Sequence, residues 1–281
     1  MSGVQALRAP AVAADGSPFG RLLKTWRSRR GLSQLDLALA ERTSQRHLSF
    51  IESGRAAPSR EMILRLSGTL DIPLRQQNAL LLAAGYAPVW RERDLSAPDS
   101  AMVNMALDYM LGQHEPYPAF VVDRCWNLLR ANRGAVALTE FLLGPAPAEP
   151  AAAPVNLAIA LMSAEGLRPF ITNWDEVAHY FLRGVQADAQ ADGAPEILAL
   201  LNRLVELPDV AALTAGPPPG ETQAPVLPML FRQGETVLSM FTTIATLGTP
   251  RDVTLEEVRI ECFFPMDEAT AQRFRDWASG T

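Results

Sequence analysis

The sequence contains few of the residues on which disulfide frameworks, metal sites and most catalytic centres depend. Its 281 residues include 2 Cys and 3 His, and two thiols in a chain of this length fit a reducing cytoplasm better than a disulfide framework. His47, His114 and His179 lie in different predicted elements, without metal-ligand spacing. No Gly-rich phosphate loop or nucleophile elbow occurs. We therefore expect no enzyme, no metal and no built-in cofactor.

Long apolar runs are also absent from the sequence. No stretch of about 18 residues is both apolar and free of Pro and charge, so we expect no membrane span. Residues 1–16 lack an apolar segment following basic residues. They are predicted to form a disordered tail and not a signal peptide. These features favour a cytoplasmic protein.

Positive charge is in deficit overall, but it is unevenly distributed. The formal net charge is −6, which by itself argues against a nucleic-acid partner. Residues 17–94, however, carry 13 Lys and Arg against 7 Asp and Glu, whereas the residues from 95 onward carry 11 against 23. The chain is long enough for two domains. A basic module joined to an acidic one is typical of a chain that binds DNA with its first part.

The stretch from Leu32 to Ser59 predicts two short helices joined by a tight turn. Ser33 and Ser44 are favourable N-caps, because their hydroxyls can accept from unpaired amides of the first turn. Leu48 and Ile51 fall three residues apart on the buried face of the second helix. Since two short helices cannot bury their own apolar faces, neighbouring helices must cover them.

Three flanking segments supply that cover and complete an all-α domain over residues 17–86. Apolar residues recur at helical spacing from Pro18 to Arg30, from Ser59 to Leu70 and from Leu74 to Ala84. Five short helices in this length form a small bundle, and the second helix of the central pair remains free to enter a DNA groove.

The central stretch resembles the helix-turn-helix of xenobiotic-response-element type, phage-repressor-like regulators. The resemblance rests on Leu32, Ser33, Gln34, Ser44, Leu48, Ser49, Glu52, Gly54, Pro58 and Ser59. One position departs from the family pattern, because Arg42 stands in the turn where Gly is often found. Arg42 must adopt positive φ, at a cost on the order of 1 kcal/mol, or the turn must differ. The resemblance implies binding to double-stranded DNA.

A protein that reads the major groove needs donors and acceptors at the N-terminal end of its second helix. There, Arg46 suits a guanine edge and Gln45 an adenine edge, while His47 is either a contact or a solvated surface side chain. By the resemblance, Phe50 faces outward toward a thymine methyl, or else it packs beside Trp26 or a partner. The predicted DNA-binding residues are Gln34, Ser44, Gln45, Arg46, His47, Ser49, Phe50 and Arg55, with Gln34 and Arg55 placed for phosphates.

The segment 87–100, which has mixed charge and two prolines, is predicted to connect the two domains. The following stretch, Ala101 to Gly112, predicts a helix with Met102, Met105, Ala106 and Tyr109 on one face. We expect that face either to dock on the second domain or to pair with its copy in a homodimer.

The second domain, residues 101–281, has the pattern of a mixed α/β (α+β) fold. Ala119 to Val122 and Trp126 to Arg130 predict a hairpin, and residues 227–232, 236–246 and 257–264 predict three more strands. Helical segments lie between them, interrupted by Pro-rich loops at 144–154 and 215–225, and Asp267 caps a final helix. This arrangement resembles the PAS-like sensor fold, in which a five-stranded antiparallel sheet is covered by helices on one face.

The second domain more closely resembles the ligand-binding domain of MmyB-like transcriptional regulators. The resemblance rests mainly on Pro118, Val122, Asp123, Trp126, Asn127, Asn132 and Trp174. It implies that a fatty acid or a similar apolar small molecule is held between the sheet and the helices.

Large, adaptable apolar side chains suit a lipid-like ligand, but they equally suit an ordinary core. The predicted ligand-binding residues are Phe120, Trp126, Phe141, Phe170, Trp174, Phe181, Met229, Phe231, Met240, Phe241 and Phe263. A carboxylate on the ligand would meet Arg130, Arg133 or Arg183.

The sequence therefore predicts a cytoplasmic, homodimeric, DNA-binding transcription regulator whose second domain senses a small apolar ligand. The alternative is a DNA-binding regulator whose second domain is a protein-interaction and dimerisation platform with a filled core. An enzyme fused to the DNA-binding domain would need a polar cleft, which this sequence does not indicate. The operator, the ligand and the direction of regulation are left open.

Overall fold

The structure is a computed structural model that describes residues 17–145, 154–215, 226–248 and 250–280. The predicted tail 1–16 and most of the predicted loops at 144–154 and 215–225 lie outside the described residues. The chain divides into two compact units, Met1–Trp90 and Arg91–Thr281, which we call the N-terminal and C-terminal units. The division falls inside the predicted connector 87–100. Within its own unit, Trp90 donates its backbone amide to Asn78, and Arg93 in the other unit pairs with Asp252.

The N-terminal unit is a bundle of five short helices, which confirms the prediction from the capping residues and apolar spacing. Four serines cap four of the helices, and each accepts a hydrogen bond from the amide three residues later. These caps satisfy amides that the helices leave unpaired. The helices are α1 (Pro18–Arg29), α2 (Gln34–Ala40), α3 (Gln45–Glu52), α4 (Arg60–Thr69) and α5 (Leu74–Ala83).

The turn between α2 and α3 uses the left-handed conformation that the sequence made uncertain. Arg42 has a φ of +52°, and the amide of Thr43 donates to the carbonyl of Ala38 at 2.9 Å. The Arg42 side chain is exposed, and its Cβ bears the cost of positive φ, on the order of 1 kcal/mol. The chain therefore makes this sharp turn without a glycine.

Helix α1 crosses the end of α3 at Gly20, where there is no room for a side chain. A Cβ atom at Gly20 would lie 2.1 Å from the carbonyl oxygen of Glu52. Around this crossing, the apolar faces of the helices form one buried cluster that includes Leu23, Leu48 and Ile51. Close backbone approach thus fixes where α3 sits on the bundle.

The C-terminal unit is built on one five-stranded antiparallel sheet with the strand order β2-β1-β5-β4-β3. The strands are β1 (Ala119–Val122), β2 (Leu128–Ala131), β3 (Met229–Gln233), β4 (Thr236–Thr246) and β5 (Arg259–Pro265). The prediction that β2 starts at Trp126 is wrong, because Trp126 has a φ of +64° and belongs to the turn. A bulky residue in the left-handed region cannot continue a strand.

Helices cover both faces of the sheet, which corrects the expectation of cover on one face. The helices are α6 (Ala101–Gln113), α7 (Arg133–Leu143), α8 (Leu157–Met162), α9 (Trp174–Asp192), α10 (Pro195–Val205), α11 (Pro208–Ala215), α12 (Val253–Glu257) and α13 (Glu268–Ser279). Leu107 and Leu111 of α6 pack on Val121 and Ile260. The larger group of helices packs on the opposite face, which includes Phe120. The physical reason is that β1 is buried on both faces, so each face requires cover.

Replacing Gly20 by Ala should destabilise the N-terminal unit by about 1 to 3 kcal/mol, because the added methyl group overpacks the α1–α3 crossing. The matched control is Gly68→Ala in α4, where a Cβ meets nothing within 4 Å. That change should stabilise the helix by about 0.5 to 1 kcal/mol. Native-state hydrogen exchange on the full chain measures both. Equal effects of the two changes would contradict the close approach.

Candidate nucleic-acid interface and ligand cavity

A buried ion pair holds α3 against the rest of the N-terminal unit. Arg27 of α1 donates to both carboxylate oxygens of Glu52 in α3, at 2.6 and 3.0 Å, and also to the carbonyl of Leu32 at 2.8 Å. The Gln34 side chain donates to the same Glu52 carboxylate at 2.8 Å. Charge-assisted bonds of this bidentate kind fix orientation as well as distance. Three segments of the chain therefore meet at the C-terminal end of α3.

The opposite end of α3 is exposed. Ser44, Gln45, Arg46 and His47 all lie on the surface, while the next residue, Leu48, is fully buried. The structure thus brings four predicted DNA-binding residues together at one helix N-terminus, where backbone amides also favour an anionic partner.

Phe50 lies one turn further along α3 and contacts two arginines. The guanidinium carbons of Arg46 and Arg55 lie 5.3 and 5.8 Å from the centre of the Phe50 ring, within the range of cation–π attraction. The ring is half-buried. Trp26, which we considered as a partner of Phe50, instead contacts Arg29 and Arg30. Phe50 therefore orders two predicted DNA-binding side chains as well as being a candidate contact itself.

The remaining predicted DNA-binding residues differ in how accessible they are. Arg55 is exposed, whereas Ser49 and Gln34 are half-buried. Because Gln34 already donates its side-chain amide to Glu52, its first role is structural, and only its remaining surface can approach a phosphate.

The C-terminal unit encloses a cavity of about 670 Å³ between the sheet and helices α7, α8 and α9. This volume lies within the range typical of small-molecule sites. Six of the predicted ligand-binding residues line it: Phe120, Trp126, Phe181, Met229, Phe231 and Phe263. Four of them project from one face of the sheet, where strand alternation places every second residue.

The other five predicted ligand-binding residues lie outside the cavity lining. Phe141 packs on Trp277, with ring centres 5.0 Å apart, and Phe241 stacks on Phe264 at 5.2 Å. Met240 is fully buried in the core. Phe170 belongs to a short 3-10 turn against the core.

Trp174 is also in the core, where its indole N–H donates to the carbonyl of Leu161 and Arg168 lies over its ring. These residues pack against other side chains, with Met240 fully buried and Phe241 half-buried, and the sequence alone could not distinguish them from residues of a cavity wall.

The indole of Trp126 lines the cavity from a strained backbone position. Its ring centre lies 4.6 Å from that of Phe181. The Asp123 carboxylate accepts from the amides of Cys125 and Asn127, and the Trp126 carbonyl accepts from the amide of Leu157 at 2.8 Å. Positive φ in a bulky residue costs on the order of 1 to 3 kcal/mol and persists only where surrounding bonds impose it.

Several cavity residues were not among the predicted apolar lining, and most of them are polar or lie on α9. Tyr180, Arg183 and Gly184 of α9 and Ile244 of β4 are exposed as well as lining the cavity, and we call these four residues the mouth. A charged group in the wall is Glu261 of β5. The alternation of β5 places Glu261 on the same face as Phe263, so this residue could have been found from the sequence.

Glu261 is a carboxyl group surrounded mainly by apolar side chains. It lies in the central strand, opposite Phe120 on one side and Ile244 on the other. Burial raises the pKa of this carboxyl to about 7, and a hydrogen bond with Thr242 offsets part of the rise. Close to neutral pH, the group therefore exchanges between its charged and uncharged forms.

The three arginines considered for a ligand carboxylate are in different places. Arg130 pairs with Asp108, and Arg133 is 85% exposed and lies 3.7 Å from Glu115. Neither lines the cavity, whereas Arg183 belongs to its mouth.

In the part of the chain that the structure describes, no group of three or more His, Cys, Asp or Glu is arranged to hold a metal ion. None of the described helices combines the length and apolarity needed to cross a bilayer.

Comparison with known proteins gives two family matches. A family model described as helix-turn-helix matches residues 23–77. A second, described as the MmyB-like transcription regulator ligand binding domain, matches residues 103–276, which is more than half of the chain. No curated protein matches the sequence.

Among solved structures, the chain is similar to one titled "Structure of an RNA-binding Light-Oxygen-Voltage Receptor". The identity is 14% and the TM-score 0.26, and the match covers 95% of this chain and 65% of that chain. A likeness at this level supports no inference about function. The two family matches do, and the chain belongs to the MmyB-like transcription regulators, with a helix-turn-helix unit preceding the ligand-binding domain of that family.

Proposed function

We propose that the protein is a cytoplasmic, homodimeric, one-component regulator in which a small apolar molecule in the C-terminal unit changes the affinity of the N-terminal unit for its operator. The observation that carries this proposal is the aromatic-lined cavity of about 670 Å³ in a chain that also presents an exposed α3 tip. This pairing suits a sensor with no enzymatic role.

The DNA contacts are assigned from the geometry of α3. Gln45 and Arg46 read base edges in the major groove, with Ser44 and His47 beside them. Arg55 holds a phosphate, and Phe50 keeps both arginines in place while offering its edge to a thymine methyl. Phosphate contacts such as that of Arg55 position the protein on DNA, whereas base contacts such as those of Gln45 and Arg46 provide the sequence specificity.

The ligand is fatty-acid-like in having a long apolar body. The apolar and aromatic lining suits such a body, since burying apolar surface contributes about 25 cal/mol per Å². Of the three arginines considered, Arg183 is the one that lines the cavity, at its mouth.

Dimerisation involves the outer face of α6. Met102, Met105 and Tyr109 are 78%, 66% and 68% exposed, while the inner face of the same helix packs on the sheet. Apolar exposure on one helix face marks an interaction surface. A homodimer offers two α3 helices, and reading successive major grooves requires them to lie roughly 34 Å apart.

Coupling between ligand and dimer follows from β5. Neighbouring residues of a strand point to opposite faces, so Glu261 faces the cavity while Ile260 packs against α6. A ligand that displaces β5 therefore also changes the surface on which α6 packs. This alters operator binding only if the ligand prefers one dimer geometry over the other.

Arg46→Ala should relax base preference at one operator position by about 1 to 3 kcal/mol, whereas Arg55→Ala should weaken binding to all sequences and lower the salt slope by about 1. Arg232→Ala, at an exposed position of the C-terminal unit, is the control and should change neither. Selection of bound sequences followed by titration at several salt concentrations measures these effects. The opposite pattern for Arg46 and Arg55 would reverse their assigned roles.

Met105→Glu should convert the dimer to a monomer, because it places a charge in the apolar face of α6. Operator affinity should fall at least tenfold, about 1.4 kcal/mol or more. Gln190→Glu, which adds the same charge at an exposed position of α9, is the control. Analytical ultracentrifugation and operator titration provide the two readouts, and a Met105→Glu dimer with full affinity would contradict dimerisation through α6.

Gly184→Leu should block the mouth of the cavity. A Cβ at Gly184 meets nothing within 4 Å, so the leucine side chain can occupy the opening. Native mass spectrometry of protein purified from cells should show a non-covalent small-molecule adduct for the wild type and for the control Gln190→Leu, and loss of it for Gly184→Leu. Absence of any adduct from all three would favour the interaction-platform alternative.

A further inference from the structure

Glu261 is a half-buried acidic residue of the cavity wall, and its surroundings leave its charge without a counter-ion. Its cross-strand neighbours are Phe120 and Ile244, and Phe263 follows it on the same face of β5. In the described part of the chain, Glu261 forms no salt bridge. Its polar partner is the hydroxyl of Thr242. A buried carboxylate is stable only when it is paired or protonated.

The other charged groups that line the cavity either form an ion pair with each other or lie at the surface. Arg259, two residues before Glu261 on the same face, pairs with Asp188 of α9 at 2.6 Å. Arg183 and Tyr180 of α9 face the mouth and are exposed. The Arg259–Asp188 pair is neutral overall, so Glu261 is left as the uncompensated charge inside the cavity.

Aromatic rings surround this carboxyl group. Phe120, Trp126, Phe181, Phe231 and Phe263 all line the cavity together with Glu261. The faces of aromatic rings attract cations, most strongly where water is excluded. An apolar cavity that combines several aromatic rings with one carboxyl group lacking a counter-ion is complementary to a positively charged, largely apolar molecule.

We propose that the cavity selects a lipophilic cation, an amphiphile with an amine or quaternary ammonium head, with Glu261 as its counter-ion and the aromatic rings as its other contacts. This inference rests on the proposed function, because it concerns the same ligand. It keeps the long apolar body and replaces the fatty-acid carboxylate by a cation. A carboxylate beside Glu261 would place two acids in one site, where they cannot both ionise.

Three probes with the same chain length and different heads test the proposal on the full-length protein. They are dodecyltrimethylammonium, dodecanol and dodecanoate, each titrated calorimetrically below its micelle concentration after bound small molecules have been extracted. The ammonium probe should bind at least tenfold more tightly than dodecanol, and dodecanoate should bind most weakly. Equal binding of the three, or a preference for dodecanoate, overturns the cation proposal but leaves an apolar-ligand sensor standing.

Glu261→Gln removes the charge while keeping the size of the side chain. The variant should lose the preference for the ammonium probe over dodecanol, with dodecanol affinity unchanged. The matched control is Glu235→Gln, an exposed acid outside the cavity lining, which should behave like the wild type. Retention of the ammonium preference by Glu261→Gln overturns the proposal. If no probe binds to any of the proteins, both the cation proposal and the proposed sensor function fail.

The dependence on pH supplies a second readout that folding alone would not mimic. The quaternary ammonium head does not titrate, and Glu261 must be ionised to pair with it. Affinity of the wild type for this probe should therefore rise as the pH increases toward about 7 and then level off. Glu261→Gln should show no such rise. A flat profile in the wild type overturns the proposal.

The stability of the ligand-free protein checks the state of the carboxyl group independently. The folded protein holds the Glu261 proton more tightly than the unfolded chain, so this group lowers stability as the pH rises from about 4.5 to about 7. Glu261→Gln should lack that decrease and be the more stable protein at pH 8. A wild type at least as stable as the variant at pH 8 would show that Glu261 is already paired, and this would overturn the proposal.

Discussion

The bidentate pair between Arg27 and Glu52 determines how the N-terminal unit presents α3, the proposed DNA-reading helix. It joins α1 to the C-terminal end of α3, and Gln34 ties the start of α2 to the same carboxylate. Removing one partner of such a pair leaves an uncompensated buried charge, at a cost of about 3 to 5 kcal/mol. Because one end of α3 is fixed so firmly, its other end can stay exposed and still have a defined direction.

The C-terminal unit depends in a similar way on its central strand. On β5, alternate residues serve two different environments, with Ile260 against α6 and Glu261 in the cavity wall. The large group of helices leaves a space over the sheet instead of filling it. The same strand thus contributes a charged group to the cavity and part of the surface on which α6, the proposed dimer helix, packs. Ligand binding could therefore affect dimer geometry through a single strand.

Local features of the sequence were sufficient to predict the fold of the N-terminal unit. Serine caps and apolar spacing gave the five helices, and Arg42 was recognised as the strained turn residue. Contacts between distant positions were not predictable: Arg27 and Glu52 are 25 residues apart, and the Trp126 carbonyl accepts from the amide of Leu157, in a segment well beyond the turn. Composition could not separate core from cavity, since Met240 and Met229 are alike in chemistry and differ only in tertiary position.

A one-component regulator requires that binding of the small molecule changes the affinity for the operator, and the reverse. The most direct measurement is operator affinity of the full-length protein, by fluorescence anisotropy, before and after extraction of its bound small molecules and again after they are restored. We expect extraction to change the affinity by about fivefold or more, the usual scale of coupling between two sites, and restoration to reverse the change. Identical affinities in all three states would contradict the account.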